Sequence, residues 1–212
     1  MSRLSKILVT ELEPVSSVAE SYRSLRTAIR YKKIVTTEDK GIVLMVASAK
    51  GQEGKTTTAA NLGITYAQEN KSVVLIDANL RHPDLQEIFA AKNGKGLVHY
   101  LNRGAALTDI VSPTEVKGLD LIRAGGQPPN PSELLGSSEM EELLNQLKQQ
   151  YDVILMDSPP ALDYTDASLL TEYSDGVLLI VKNGRTKREW AKQARTQLEQ
   201  SGARMLGIVF TS

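Results

Sequence analysis

The sequence predicts one doubly wound α/β domain on a mostly parallel sheet. Three observations carry that expectation. Short aliphatic runs of strand length recur along the chain, helical patterns separate them, and the runs stay apolar at consecutive positions, as strands covered on both faces require. The chain has 212 residues, 41 % of them apolar and 24 % charged, enough for one full core.

Taken in order, "SVAESYRSLRTAIRY" (17–31) sets Val18, Tyr22, Leu25 and Ile29 at helical spacing, with Ser16 or Ser17 as cap and Glu20 in the first turn. This N-terminal helix precedes the first strand, so it lies against or beyond the core, and "IVTTEDKG" links it to the sheet. Residues 1–40 are accordingly read as a helix and linker for subunit contacts, and 41–212 as the main domain. "GIVLMVAS" (41–48), "SVVLIDA" (72–78), "YDVILMDS" (151–158) and "DGVLLIVKN" (175–183) read as buried strands. "LDLIRA" (119–124) and "RMLGIVF" (204–210) are further strands. Helical patterns fall at 55–69, 131–149, 165–173 and 187–200.

Composition excludes several classes of function. Basic and acidic residues balance at 25 each, so no global field draws the protein to nucleic acid or anionic lipid. No cysteine is present, which removes disulfides, thiolate catalysis and cysteine-ligated metals, and only His82 and His99 offer imidazole. No apolar run approaches the roughly 18 residues needed to cross a bilayer, and the first residues do not form a secretory signal. A cytoplasmic protein is expected, with any membrane attachment supplied by a partner. The basic helix edge of Arg23, Arg26, Arg30, Lys32 and Lys33 reads as solvation or subunit pairing, and no nucleic-acid motif is visible.

The chemistry sits in "ASAKGQEGKTTTAANL" (47–62). A strand running into a glycine-bearing loop and then a helix converges backbone N–H groups on an anion. Gly51, Gln52, Glu53 and Gly54 form that loop. Lys55 reaches the outer phosphates, the Thr56 hydroxyl suits Mg²⁺, and Thr57 continues the helix start. Ala49 stands where the usual pattern begins with glycine. The strands "VVLIDANLRHP" and "VILMDSPP" deliver Asp77 and Asp157 to the carboxyl edge of the sheet, where open α/β folds bind ligands. Two carboxylates facing a Lys–Thr phosphate loop make a Mg²⁺·nucleotide site, since this cation takes a few oxygens plus phosphate and water. Arg81 either braces the acids or forms a subunit contact. Asn183, Arg185 and Thr186, just past a strand end, are candidates for the base end of the nucleotide.

The order of "SAKGQEGKTTTAANL", "VVLIDANLRHPDL", "GGQPPNPSELL", "YDVILMDSPPALDYTDA" and "MLGIVF" resembles the bacterial tyrosine kinases of capsule and exopolysaccharide export, from about residue 17 onward. "GGQPPNPSELL" is the most distinctive element, and "ESYRSLR" matches the family's E-x-x-R-x-x-R pattern at Glu20, Arg23 and Arg26. The resemblance implies a Mg²⁺- and ATP-dependent kinase that autophosphorylates tyrosines and assembles as a ring through that helix. It also implies activation by the cytoplasmic tail of a transmembrane polysaccharide co-polymerase, which places the protein at the inner face of the membrane. By position, Lys55 and Thr56 hold phosphate and metal, Asp157 organises the metal and Asp77 is the candidate base.

Three features depart from that pattern. Asn79 replaces the second aspartate of an Asp-x-Asp pair, so the site carries one charge fewer. The sequence stops at "GIVFTS" without a tyrosine-rich tail, and its seven tyrosines are scattered. Lys50 makes "KGQEGKT" similar to the deviant phosphate loop of partition and cell-division ATPases, in which such a lysine reaches a partner's nucleotide. An ATP-driven dimerisation switch therefore stands as the alternative, and a nucleotide-binding scaffold with little transfer as a third reading.

Overall fold

The computed structural model describes residues 7–32 and 41–212. The expected linker over 34–40, and Lys33, lie outside the described residues. The described elements run α1 (Val9–Leu12), α2 (Ser17–Tyr31), β1 (Ile42–Ser48), α3 (Lys55–Gln68), β2 (Val73–Asp77) and α4 (Leu85–Ile88). Then come α5 (Leu97–Leu101), α6 (Leu107–Ile110), β3 (Val111–Pro113), β4 (Leu119–Ile122), α7 (Pro131–Leu135) and α8 (Ser138–Leu147). The chain closes with β5 (Val153–Asp157), α9 (Asp166–Thr171), β6 (Gly176–Lys182), α10 (Arg188–Gln200) and β7 (Met205–Thr211).

The seven strands form one sheet in the order β3-β4-β2-β5-β1-β6-β7, and only the β3–β4 pair is antiparallel. Successive residues of a strand face opposite sides, so each central strand feeds two cores. Val43, Met45, Ile76 and Met156 pack under α5, α7, α8 and α10. Leu44, Val46, Leu75 and Leu155 pack against α3, with Ile29 of α2 behind it. All eight of these strand residues are fully buried, which explains why the runs read as continuous rather than alternating. At Gly63 a Cβ would stand 3.2 to 3.4 Å from Leu75, Leu119 and Leu155, so the missing side chain lets α3 lie close on the sheet.

The N-terminal helix lies against the core, on α3. Ser16 is its cap, accepting from the Ala19 N–H at 3.2 Å. Ala19 and Ile29 face inward, whereas Val18 is 48 % exposed, so Ala19 takes the buried place expected for Val18. Thr10 of α1 donates from its N–H and hydroxyl to Asn61 Oδ1 of α3, at 3.0 and 2.9 Å.

Two elements differ from expectation. The single helix expected over 131–149 is split: α7 closes at Gly136, and Ser137 adopts extended backbone (ψ 159) before α8 restarts. The Ser137 hydroxyl donates to Leu134 O at 2.8 Å, turning the chain so that α8 buries Met140, Leu143 and Leu147 on its own axis. The stretch between β2 and β4, to which the sequence assigns no element, carries α4, α5, α6 and the edge strand β3.

Candidate nucleotide and cation site

β1 ends in Ser48, and the chain crosses the carboxyl edge of the sheet in a loop that turns into α3 at Lys55. The loop needs two left-handed residues, Gln52 (φ 62) and Gly54 (φ 94). Glycine is suited to the second, because a Cβ there would also press on the Thr211 side chain at 3.3 Å. Glu53 is buried and fastens the loop. Its Oε1 accepts from the Thr186 hydroxyl at 2.7 Å and its Oε2 from the Lys50 N–H at 3.1 Å, while its carbonyl accepts from the Thr211 hydroxyl at 2.8 Å. The loop is therefore held by the end of β7 and the turn after β6, and its residues line the cleft.

β2 and β5 pair in parallel register with Asp77 opposite Asp157, so both acids reach the same edge. Both are fully buried. Thr56 donates its hydroxyl proton to Asp157 Oδ2 at 2.6 Å, which leaves the hydroxyl lone pairs for a cation. Asp77 Oδ2 accepts the Leu85 N–H at 3.0 Å. Among the described residues the remaining oxygens, Asp77 Oδ1 and Asp157 Oδ1, make no hydrogen bond although both are buried, while the Asn79 backbone N–H steadies the Asp77 charge. Two orphaned carboxylate oxygens beside a threonine hydroxyl are the donor set of a hard cation, and they fit Mg²⁺ completed by phosphate and water. Burial, then the charge of Asp157, lifts the pKa of Asp77 well above the ordinary range. Asp157 is raised by burial to about 6, held from rising further by the Lys55 ammonium and the Thr56 bond. Lys55 itself is 5 % exposed, and among the described residues no ion pair takes up its charge.

The cleft over these groups has a volume of about 1250 Å³ and is lined by the phosphate loop together with Asn79, Asp84, Tyr164, Arg185 and Trp190. Arg185 reaches the loop, donating to Gln52 Oε1 at 2.9 Å. Asn183 does not line the cleft; its N–H is spent on Thr211 O at 2.8 Å. Thr57 lines the cleft from the first turn of α3.

Three expectations about individual residues change. Arg81 does not brace the paired acids. It turns to buried Asp166, bonded through Nε at 2.8 Å and Nη2 at 3.0 Å, and stacks 4.0 Å from the Tyr164 ring centroid. Asn79 lines the cleft, but its amide closes its own turn on the backbone of His82. Lys50 pairs with Asp163 of the same chain, near the Trp190 ring. In the N-terminal helix, Arg26 pairs with Glu69 at 2.6 Å and with the Thr65 carbonyl, while Arg23 pairs with Glu20 at 2.8 Å and with the Pro14 carbonyl. Sequence reasoning missed Asp84, Tyr164, Asp166 and Trp190. Trp190, the single tryptophan, in the first turn of α10 carried the one usable signal, an aromatic plane near a nucleotide loop.

A family model described as an AAA domain matches residues 41–200. Tyrosine-protein kinase YwqD of Bacillus subtilis is 37 % identical over 98 % of this chain and 86 % of its own length. The kinase domain of the Escherichia coli tyrosine kinase ETK superposes with a TM-score of 0.91 at 30 % identity, covering 97 % of this chain and 79 % of that one. The septum site-determining protein MinD of Pyrococcus horikoshii, complexed with Mg-ADP, superposes at 0.69 and 22 % identity, over 80 % of this chain and 70 % of that one. That last likeness shows a shared fold alone. Matched over nearly its full length to such relatives, the chain belongs to the family of bacterial tyrosine-protein kinases.

Proposed function

We propose that the chain transfers the terminal phosphoryl group of Mg²⁺·ATP to protein tyrosines and serves capsular or exopolysaccharide synthesis and export. The observation that carries this reading is the pair of buried carboxylates, each with one oxygen that no described residue pairs, of which Asp157 holds the Thr56 hydroxyl. When bound, Mg²⁺·ATP supplies the phosphoryl group and neutralises much of its charge. The chain's own residues supply position. Loop amides and Lys55 orient the phosphate oxygens, Thr56 and Asp157 fix the cation's place, and Asp77 stands on the adjacent strand as base for the tyrosine hydroxyl. A phenol has an ordinary pKa of about 10, so a carboxylate whose affinity for protons is raised by burial suits that task better than an exposed one. Arg185, which lines the cleft and reaches Gln52, belongs to the base end of the nucleotide.

Attachment at the inner face of the membrane through a transmembrane co-polymerase partner belongs to the same reading; no described helix is long and apolar enough to cross a membrane. Assembly with further copies runs through residues 1–40, with Glu20, Arg23 and Arg26 at the contact and the kinase unit over 41–212. Glu20 keeps 69 % of its side chain exposed for a second copy, whereas Arg26 is already engaged within its own chain.

Incubation with radiolabelled Mg²⁺·ATP and a tyrosine-rich peptide tests the reading. Label on peptide tyrosine is expected, lost in Lys55→Met and Asp157→Asn. ATP hydrolysis with nucleotide-driven dimers and no transfer would instead establish the dimerisation switch. Lys50, paired with Asp163, is not free to reach a partner in the conformation described.

A further inference from the structure

The kinase reading uses Asp77 and Asp157 but leaves another acid of the cleft without a task. Asp84 stands directly before α4 and lines the cleft beside Lys55, Thr56 and Asn79. An aspartate at the start of a helix ordinarily accepts N–H groups of the first turn. Asp84 caps nothing, and its exposed carboxylate takes no hydrogen bond or ion pair from any described residue.

The local fold explains how it comes to be there. Asn79 Nδ2 donates to the His82 carbonyl at 2.7 Å and Asn79 Oδ1 accepts the His82 N–H at 3.3 Å. This closes a turn and consumes the neutral amide. After that turn, Leu85 is sealed in the core and its N–H sits on Asp77 Oδ2 at 3.0 Å. Asp84, one residue earlier, is thereby returned over the strand ends that hold Asp77 and Asp157. Its charge contributes to the raised pKa values of both, behind their burial. The buried orphan oxygen of Asp157, on a strand remote in sequence from this turn, points independently to a cation here, beside that of Asp77 at the end of β2.

We propose that Asp84 is a third acid of the cation site, acting on the cation's water shell from the side that Asn79 leaves neutral. The inference rests on the Mg²⁺·nucleotide reading above. A carboxylate one water away from a bound cation steadies that water and adds to the ion's affinity. The same charge repels a bare polyphosphate approaching Lys55. Asp84 thus makes nucleotide binding conditional on the cation: it favours the chelate and opposes the free nucleotide. It is a positioning residue.

The probe is Mn²⁺, titrated by electron paramagnetic resonance into the full chain with ADP, alongside fluorescent ADP binding in EDTA. Asp84→Asn is expected to weaken Mn²⁺ about tenfold and to tighten metal-free ADP. Glu87→Gln, another acid of the cleft, should do neither. Asn79→Asp placed in the Asp84→Asn background should restore Mn²⁺ affinity. Unchanged Mn²⁺ affinity in Asp84→Asn, or an equal loss in Glu87→Gln, overturns the assignment. Failure of the unaltered chain to bind Mn²⁺·ADP would sink the nucleotide reading itself, a result distinct from tight wild-type binding that is indifferent to Asp84.

Discussion

Asp77 and Asp157 show at the level of single residues that the site opposes the fold that holds it. Each carboxylate is buried with one oxygen that no described residue pairs, and burial makes the ionised form worse off in the native protein than in the unfolded chain. Asp157 moves from an ordinary 3.8 to about 6 on folding. The folded protein therefore holds more protons than the unfolded chain between those values, and this group's contribution to stability falls as pH rises through that window. Above about pH 6 the penalty is fully present. Asp157→Asn and Asp77→Asn are expected to raise the melting temperature of the nucleotide-free protein at neutral pH, by about 1 to 2 kcal/mol in stability. Both should abolish cation-dependent nucleotide binding. Melting curves from pH 5 to 7.5 check the sign: the component due to Asp157 should decline with pH in the unaltered chain and vanish in Asp157→Asn. Equal or lower stability of the asparagine variants would show that the two acids are satisfied without a cation.

Elements are held around this site by contacts distant in sequence, and Arg81 illustrates how. It leaves the end of β2, pairs with Asp166 at the start of α9, and approaches Ser132 of α7, whose hydroxyl donates to the same carboxylate at 2.6 Å. Asp166 is fully buried, so removing the guanidinium strands a charge. Arg81→Ala should cost about 3 kcal/mol in chemical denaturation, with nucleotide affinity kept while the protein is folded. Arg81→Lys should recover only part of the loss, because one ammonium cannot reproduce the fork. Loss of nucleotide binding at unchanged stability would return Arg81 to the site. The same long reach explains what was legible in sequence. β1, β2, β5 and β6 announce themselves through continuous apolar runs, and a loop between such a strand and a helix can be read as a phosphate cradle. The acids were legible because each ends a strand. The roles of Arg81 and Asp84 were not, since one depends on a partner 85 positions away and the other on a turn closed by Asn79. Helices of four or five residues such as α4, α5 and α6 offer barely one turn of periodicity, and the α7–α8 break depends on the backbone at Ser137.

Across the whole molecule, the cleft and the N-terminal corner are mechanically connected through α3. That helix starts at Lys55 in the cleft, and its Asn61 and Gln68 hold α1 through Thr10. Beside this corner the surface is apolar where a monomer has no use for it: Val15 is 98 % exposed, Leu12 53 % and Val18 48 %. With Glu20 open next to them, these residues offer a small apolar centre with a charged rim, which suits the contact between copies proposed above. Burying each valine would contribute about 1 to 2 kcal/mol, roughly tenfold in association per residue. Val15→Asp and Val18→Asp together should therefore reduce self-association by about a hundredfold in sedimentation velocity while leaving single-copy nucleotide binding intact, because neither side chain supports the monomer's core. Glu20→Lys should weaken the same association by less and in a salt-dependent way. A chain that sediments as a monomer at every concentration, with and without nucleotide, would remove the corner as a contact and leave its apolar residues for a different partner.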